Sequence, residues 1–262
     1  MPETVMQGKV AFISGGGSGI GKAAASVLAQ RGVRVALAGR TAAELEEVAA
    51  AIERDGGTAM AVECDISDEE SVVSAIATTV ERWGRLDVVV ANAGVNGTWA
   101  GIDELTVADF RSTLEINLVG TFTTIKHAVP HLRKQGGSVV VTSSVNGTRI
   151  FSNSGATAYS SSKAGQVALA KMLAVELGPD RIRVNVICPG AIETSIDDNT
   201  DVRNEEVRIP VDFPEGEIPL TGGRSGSAEQ VGELIAFLAS DAADHISGTE
   251  VWIDGAQSLL QG

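Results

Sequence analysis

Seven short runs rich in valine, isoleucine and alanine punctuate the chain, and longer stretches with helical periodicity separate them. The runs are VAFIS near residue 10, VRVALAG at 33–39, AMAVECD at 59–65, LDVVVANAG at 86–94, GSVVVTSS at 137–144, IRVNVICPG at 182–190 and TEVWIDG at 249–255. They do not alternate strictly between polar and apolar residues, which is the pattern of strands covered on both faces. Among the intervening helical segments, 41–54 (TAAELEEVAAAIER) offers Thr41 as N-cap, Glu44 three residues on, and Gly56-Gly57 past its end. Such alternation predicts an α/β fold: one doubly wound parallel sheet of about seven strands, helices on both faces, right-handed crossovers. The 262 residues could make one large domain or two small ones; 44% apolar content and the absence of a Pro/Ser-rich or like-charged linker predict a single domain over 1–262.

The regular alternation lapses from Ile192 to Gly226, in a stretch rich in Asp, Glu, Pro and Gly. A loop of that length inside a compact domain reads as a lid, expected at about 195–225, mobile without ligand and ordered by substrate and cofactor together. A net charge of −14 excludes nucleic acid and anionic membrane surfaces as partners, since both need clustered Lys and Arg. The start, MPETVMQGKVAFISGGG, has only a four-residue apolar run, too short for a signal peptide or a membrane span, so a cytoplasmic location is expected. Cys64 and Cys188 are far apart and have no metal-ligand spacing, which predicts buried thiols. His127 and His131 stand one helical turn apart but lack the glutamate of a zinc-binding helix, so no metal is expected.

Directly after the first run comes SGGGSGIG, residues 14–21, opening a helix expected to begin near Lys22. A glycine turn feeding a helix N-terminus presents free backbone N–H groups and the positive end of the helix dipole to a pyrophosphate. Its strand, turn and helix context is that of a dinucleotide fingerprint in a Rossmann-type sheet, and makes Gly15, Ser18, Gly19 and Ile20 candidate cofactor contacts. The second strand ends in Gly39-Arg40-Thr41, without the acidic residue that would accept the adenosine ribose hydroxyls. An arginine there suits a 2′-phosphate, which favours NADP and leaves NAD possible; the absence of a basic residue at Ser18 tempers that preference. Asp65, closing the third strand, is a candidate partner for the adenine amino group, with Ile66 beside it.

Tyr159 and Lys163 open the helical segment YSSSKAGQVALAKMLAVELG, four residues and so one turn apart. An ammonium so placed favours the phenolate and draws the tyrosine towards acid/base work. Taken in order, the glycine motif, Asn92-Ala93-Gly94, Asn117, Ser144, Tyr159/Lys163 and Pro189-Gly190 with Thr194 resemble the short-chain dehydrogenase/reductase family over residues 6–256. The resemblance implies an NAD(P)-dependent oxidoreductase that moves a hydride between nicotinamide and a carbonyl or secondary alcohol. In it Tyr159 would be the general acid in reduction and the base in oxidation, and Ser144 would hydrogen-bond the carbonyl oxygen. Lys163 would hold the nicotinamide ribose, and Asn117 would anchor a water of the proton relay. Asn92 and Gly94 would line the adenosine side. Pro189 and Gly190 would be further cofactor contacts, with Ile192 and Thr194 fixing the nicotinamide carboxamide.

Two departures stand out. The interval from Ser144 to Tyr159 is about two residues longer than usual in the family, which predicts an enlarged FSNSGAT loop at the substrate mouth, and Ser14 replaces the usual threonine. A small, neutral substrate such as a sugar, polyol, ketone or cyclic alcohol is the first expectation. The alternative is a 3-oxoacyl-[acyl-carrier-protein] reductase, for which Arg133 and Lys134 could begin a docking patch. Val175 stands where an arginine is usual in such reductases, and Asp197, Asp198, Asp201, Glu205 and Glu206 would repel the carrier. A non-catalytic NAD(P)-sensing regulator is a third reading. A homotetramer is implied by the resemblance; the Tyr159–Gly178 helix is expected to carry Leu169, Met172 and Leu173 on one face and Ala170 and Ala174 on another.

Overall fold

The computed structural model describes residues 6–194, 200–203 and 218–261. A seven-stranded parallel sheet organises the chain. Its strands are β1 (Val10–Ser14), β2 (Arg34–Gly39), β3 (Thr58–Glu63), β4 (Val88–Ala91), β6 (Gly137–Thr142), β7 (Ile182–Pro189) and β9 (Glu250–Ile253), in the order β3-β2-β1-β4-β6-β7-β9. Chain order reverses between β1 and β4, so the crevice that open α/β sheets use for ligands lies above their carboxyl ends.

Helices cover both faces because successive strand residues point to opposite sides. Val139 and Val141 join Phe12, Ile125, Val167 and Leu177 in one core, under α3 (Glu69–Trp83), α5 (Gly120–Leu132) and α6 (Thr157–Leu177). Val140, between them, joins Ile13, Leu28, Leu45 and Ile235 in the other, under α1 (Gly19–Gln30), α2 (Ala42–Arg54) and α7 (Ala228–Ala239). Among the described residues, two further α-helices are α4 (Val107–Leu114) and α8 (Gln257–Gln261). Among the described residues no helix is long and apolar enough to cross a membrane.

Local signals account for most ends. Asp68 caps α3 by accepting from Glu70 N, and Gly84 closes that helix in the left-handed region. Ser227 and Gln230 form a reciprocal box at the start of α7. Thr41 does precede α2, but its side chain makes no capping hydrogen bond. Helix α1 starts at Gly19 rather than near Lys22, which carries the helix end into the glycine turn itself.

Two features were not foreseen. Residues Glu115–Val119 form one wide turn, in which Gly120 N donates to Glu115 O five residues back. A two-stranded parallel sheet pairs β5 (Gly97–Trp99) with β8 (Thr200–Val202). Residues 200–203 of the expected lid are thus docked: Asn96 Nδ2 donates to Thr200 Oγ1 at 2.7 Å, and Arg203 pairs with Asp109 and Asp201. The rest of the lid, including Asp197, Asp198, Glu205 and Glu206, lies outside the described residues, except that 218–225 is placed, with Ile218 buried.

The division of α6 into faces also differs from expectation. Ala170 is buried and Leu173 and Ala174 pack with it on the core, while Met172 and Val175 stand 70% and 80% exposed. Inward positions recur every three or four residues, so Leu173 falls on the same arc as Ala170 and Ala174, not beside Met172.

Candidate active site

A crevice of about 480 Å³ runs over the strand ends from the turn between β1 and α1 to the amino end of α6. Gly15 N and Gly16 N both donate to Ala38 O, at 2.8 and 3.1 Å, which fastens the glycine turn to the end of β2. Gly15 holds φ +69°, open to glycine alone at little strain, and a β-carbon at Gly21 would collide with the Gly15 carbonyl oxygen. Ser18, at the N-cap of α1, forms no side-chain bond with the first turn, and that turn holds no acidic residue. Its N–H groups therefore face the crevice as an anion cradle.

Asn92 braces this cradle: its Nδ2 donates to Ser14 O at 3.2 Å and Gly15 O at 3.4 Å. Ser14 Oγ accepts from Asn92 N and Ala93 N at 3.0 and 3.1 Å, work for which a serine hydroxyl suffices. Gly94 was expected on the adenosine side, yet a β-carbon there would fall 3.0 Å from Asn117 Oδ1 and 3.6 Å from Lys163 Nζ, which puts it at the catalytic end. At the opposite end lie Arg40, Thr41, Asp65 and Ile66. Asp65 Oδ1 accepts from Ser67 N and Oγ, and those bonds, helped by nearby Arg40, hold its carboxyl below the ordinary range. Glu44, marked in the sequence only as a helix-start residue, shares that end: a β-carbon at Gly17 would meet its carboxylate at 3.2 Å. Nothing in the local sequence says that the first turn of α2 leans over the crevice.

Pro189, Gly190, Ile192 and Thr194 line the catalytic side. Their loop is pinned by Gly190 N to Ile253 O at 3.1 Å and Ala191 N to Gln257 Oε1 at 3.0 Å, and Thr194 faces Gly19 across the crevice. Tyr159 and Lys163 sit on the first turns of α6, 6% and 3% exposed. Lys163 Nζ lies 5.5 Å from the Tyr159 ring centre and donates to Thr142 O at 2.9 Å. Burial pulls its ammonium from 10.5 down to about 8.

The two serines after β6 separate by their bonds. Ser143 Oγ donates to Lys163 O at 2.9 Å, so its hydrogen is spent inside the fold. Ser144 Oγ accepts from Asn146 N at 3.1 Å, which leaves its hydrogen free to donate into the crevice that both serines line. Beyond it Asn153 Nδ2 donates to Asn146 Oδ1 at 2.8 Å, tying the enlarged loop to the serine turn. Asn117 sits in the wide turn, with Oδ1 accepting from Val95 N and Nδ2 donating to Val95 O and Ser162 Oγ.

No group of three or more His, Cys, Asp or Glu suited to a metal occurs among the described residues; His127 Nε2 is instead 2.7 Å from Glu69. Cys64 and Cys188 are free and buried, and burial pushes their thiols up to about 11 and 12.

A phosphate cradle at the sheet's switch point, joined in one crevice to a buried Tyr–Lys pair, defines a dinucleotide-dependent oxidoreductase. Known proteins agree. A family model described as enoyl-(acyl carrier protein) reductase matches residues 15–256. Trans-4-hydroxycyclohexanecarboxylate dehydrogenase of Sinomonas cyclohexanicum is 38% identical over 95% of this chain and 93% of its own. Levodione reductase of Leifsonia aquatica is 36% identical over 98% and 97%. A crystal structure described as a 3-ketoacyl-ACP reductase from Sinorhizobium meliloti 1021 superposes with TM-score 0.93 at 53% identity, covering 96% of this chain and 99% of that one. The chain belongs to the short-chain dehydrogenase/reductase family, and is an NAD(P)-dependent enzyme acting on CH–OH or C=O groups.

Proposed function

We propose that this enzyme interconverts a small cyclic or otherwise compact secondary alcohol and its ketone, with Tyr159 as the proton donor and acceptor. The observation that carries the reading is the buried Tyr159–Lys163 pair on one turn of α6, with Ser144 in the same crevice and its hydrogen left free to donate. A nicotinamide cofactor, when bound, supplies the hydride in reduction and takes it up in oxidation. The tyrosine hydroxyl gives its proton to the substrate oxygen in reduction and recovers it in oxidation, while Ser144 stabilises the charge developing on that oxygen. Lys163, charged below about pH 8, favours the phenolate across 5.5 Å.

The cradle of Gly15, Ser18, Gly19 and Ile20 would hold the pyrophosphate, Asp65 and Ile66 the adenine, and Gly190, Ile192 and Thr194 the carboxamide. Arg40 supports NADP as the preferred cofactor, and Glu44 at the same end opposes a 2′-phosphate, so the discrimination should be moderate and NAD usable.

The 53% identity to a protein described as a 3-ketoacyl-ACP reductase favours a second reading, reduction of a carrier-bound 3-oxoacyl chain. Against it, Arg133 is occupied by Asp180 at 2.7 Å and Val175 presents an uncharged, exposed surface, in a chain of net charge −14. The names of relatives described as hydroxycyclohexanecarboxylate dehydrogenases support the first reading. Exposed Val119, Phe122, Met172 and Val175 support a homo-oligomer, for which we propose a tetramer, and two reduced buried thiols suit the cytoplasm. Initial rates on a panel of cyclic alcohols, diols, ketones and an acetoacetyl thioester, each with NAD(H) and NADP(H), test the assignment. Turnover confined to the thioester would reverse the order of the two readings.

A further inference from the structure

Gln166 lies one turn beyond Lys163 on α6, is fully buried and plays no part in the chemistry described above. Its Nε2 donates to the main-chain carbonyl of Asn117 at 2.7 Å and to Thr121 Oγ1 at 2.8 Å. Thr121 Oγ1 in turn donates to the same carbonyl at 2.7 Å, so both lone pairs of Asn117 O are taken. From there the bonds run back to the reacting residues: Asn117 Nδ2 donates to Ser162 Oγ at 3.0 Å, and Ser162 Oγ donates to Tyr159 O at 2.7 Å. Asn117, Ser162 and Gln166 are all 0% exposed, and Thr121 is 2% exposed.

The orientation of the Gln166 amide follows from its partners. A carbonyl oxygen and a hydroxyl whose hydrogen is already given away are both acceptors, so Nε2 must face them. Oε1 then points elsewhere, and it is buried with no hydrogen-bond partner. Leucine would fill the volume without stranding an acceptor, so the amide is explained by its N–H groups rather than by packing.

We propose that Gln166 is a positioning residue for the proton-transfer pair. By saturating the Asn117 carbonyl it fixes the wide turn Glu115–Val119, and through Asn117 and Ser162 it sets the first turn of α6, from which Tyr159 and Lys163 project. The titratable groups around the network are Tyr159 and Lys163 on α6, exposed Glu115 on the wide turn, and Cys188 on β7, which acts electrostatically on Lys163. The inference rests on Tyr159 as the acid and base.

Two variants test it. Gln166→Leu should lower kcat about ten- to a hundredfold at every pH, the scale of a small misplacement at a reacting centre, with the cofactor Kd by tryptophan fluorescence within about threefold of wild type. Gln166→Glu keeps one donor only while its carboxyl is protonated. It should approach wild-type kcat at low pH and lose it through an added titration that neither wild type nor Gln166→Leu shows. Tyr159 is the sole tyrosine, so its near-ultraviolet tyrosinate transition can be followed without turnover, and it should move in both variants. A kcat of Gln166→Leu within twofold of wild type, a Gln166→Glu profile parallel to wild type, or an unmoved tyrosinate transition in both overturns the proposal. If Gln166→Leu does not fold, Gln166→Glu decides. Failure of wild type on the whole substrate panel would instead refute the function reading, and the tyrosinate titration would still judge Gln166.

Discussion

Replacing Lys163 with methionine should make the cofactor-free protein more stable at pH 7 while removing its activity. The ammonium is 3% exposed and makes one hydrogen bond, to Thr142 O at 2.9 Å. Burial moves its pKa from 10.5 to about 8. At about 1.4 kcal/mol for each pH unit, that gap corresponds to about 3 kcal/mol held against folding while the amine is charged. The folded pKa lies below the unfolded one, so between about 8 and 10.5 the unfolded chain binds more protons and stability rises with pH. Below about 8 the whole penalty is present. Methionine keeps the length and apolar volume, removes the penalty, and loses a charge-assisted bond worth about 2 kcal/mol. The balance favours Lys163→Met by about 1 kcal/mol at neutral pH. Above pH 10.5 the wild-type amine is neutral in both states, so the order should reverse. Urea unfolding of both proteins at neutral and strongly alkaline pH reads the crossover. Turnover should fall at least about a hundredfold. A variant less stable than wild type at pH 7, or a stability gap that does not change with pH, refutes the reasoning.

Tyr159→Phe should abolish turnover and leave the cofactor Kd within a few-fold, since only the proton donor is removed; retained activity would place the acid elsewhere. Arg40→Ala should weaken NADP(H) about tenfold or more, the value of one charge-assisted contact to a phosphate, and leave NAD(H) nearly unchanged. Equal losses by fluorescence titration, or a wild-type preference for NAD(H), would remove Arg40 as the 2′-phosphate contact.

What could be read from the chain without coordinates followed from periodicity and from motifs whose chemistry is local. The seven Val/Ile-rich runs became seven strands because a buried parallel strand needs apolar residues on both faces, and the glycine turn could only be a close backbone approach at a helix end. Tyr159 and Lys163 meet because they are one turn apart. Apart from the wide turn Glu115–Val119, the contacts that escaped depend on elements distant in sequence. Glu44 reaches the crevice because α2 leans over Gly17, and β5 pairs with β8, three residues each and separated by about a hundred positions. Gln166 reads as one more polar residue in a helix until Asn117 is brought against it. The faces of α6 differ from expectation for a related reason: with residues such as Ser162, Lys163 and Gln166 turned inward, hydrophobicity does not mark the buried side.

The attachment of residues 200–203, part of the segment expected to act as a lid, makes a separable prediction. Residues 200–203 of that segment are held to the body by a three-residue strand pairing and by Arg203, whose Nη1 and Nη2 meet Asp109 Oδ2 and Oδ1 at 2.8 and 3.2 Å. Asp109 is kept below the ordinary carboxylate range by Thr106 first and Arg203 next, so the pair persists well below neutral pH. It is a surface contact, in contrast to the buried bonds that hold Tyr159, Lys163 and Asn117. Asp109→Ala should therefore free Arg203 and loosen residues 200–203 without disturbing the reacting groups. Exposed pairs of this kind change equilibria by a factor of about two to five, so KM for substrate should rise by about that factor, with kcat and cofactor Kd unchanged. Amide exchange at 200–203 should quicken in the free enzyme and slow again when cofactor and substrate are added together. If kcat and cofactor affinity fall with KM, or if exchange at 200–203 is indifferent to the substitution, the segment is part of the rigid framework and does not gate the crevice.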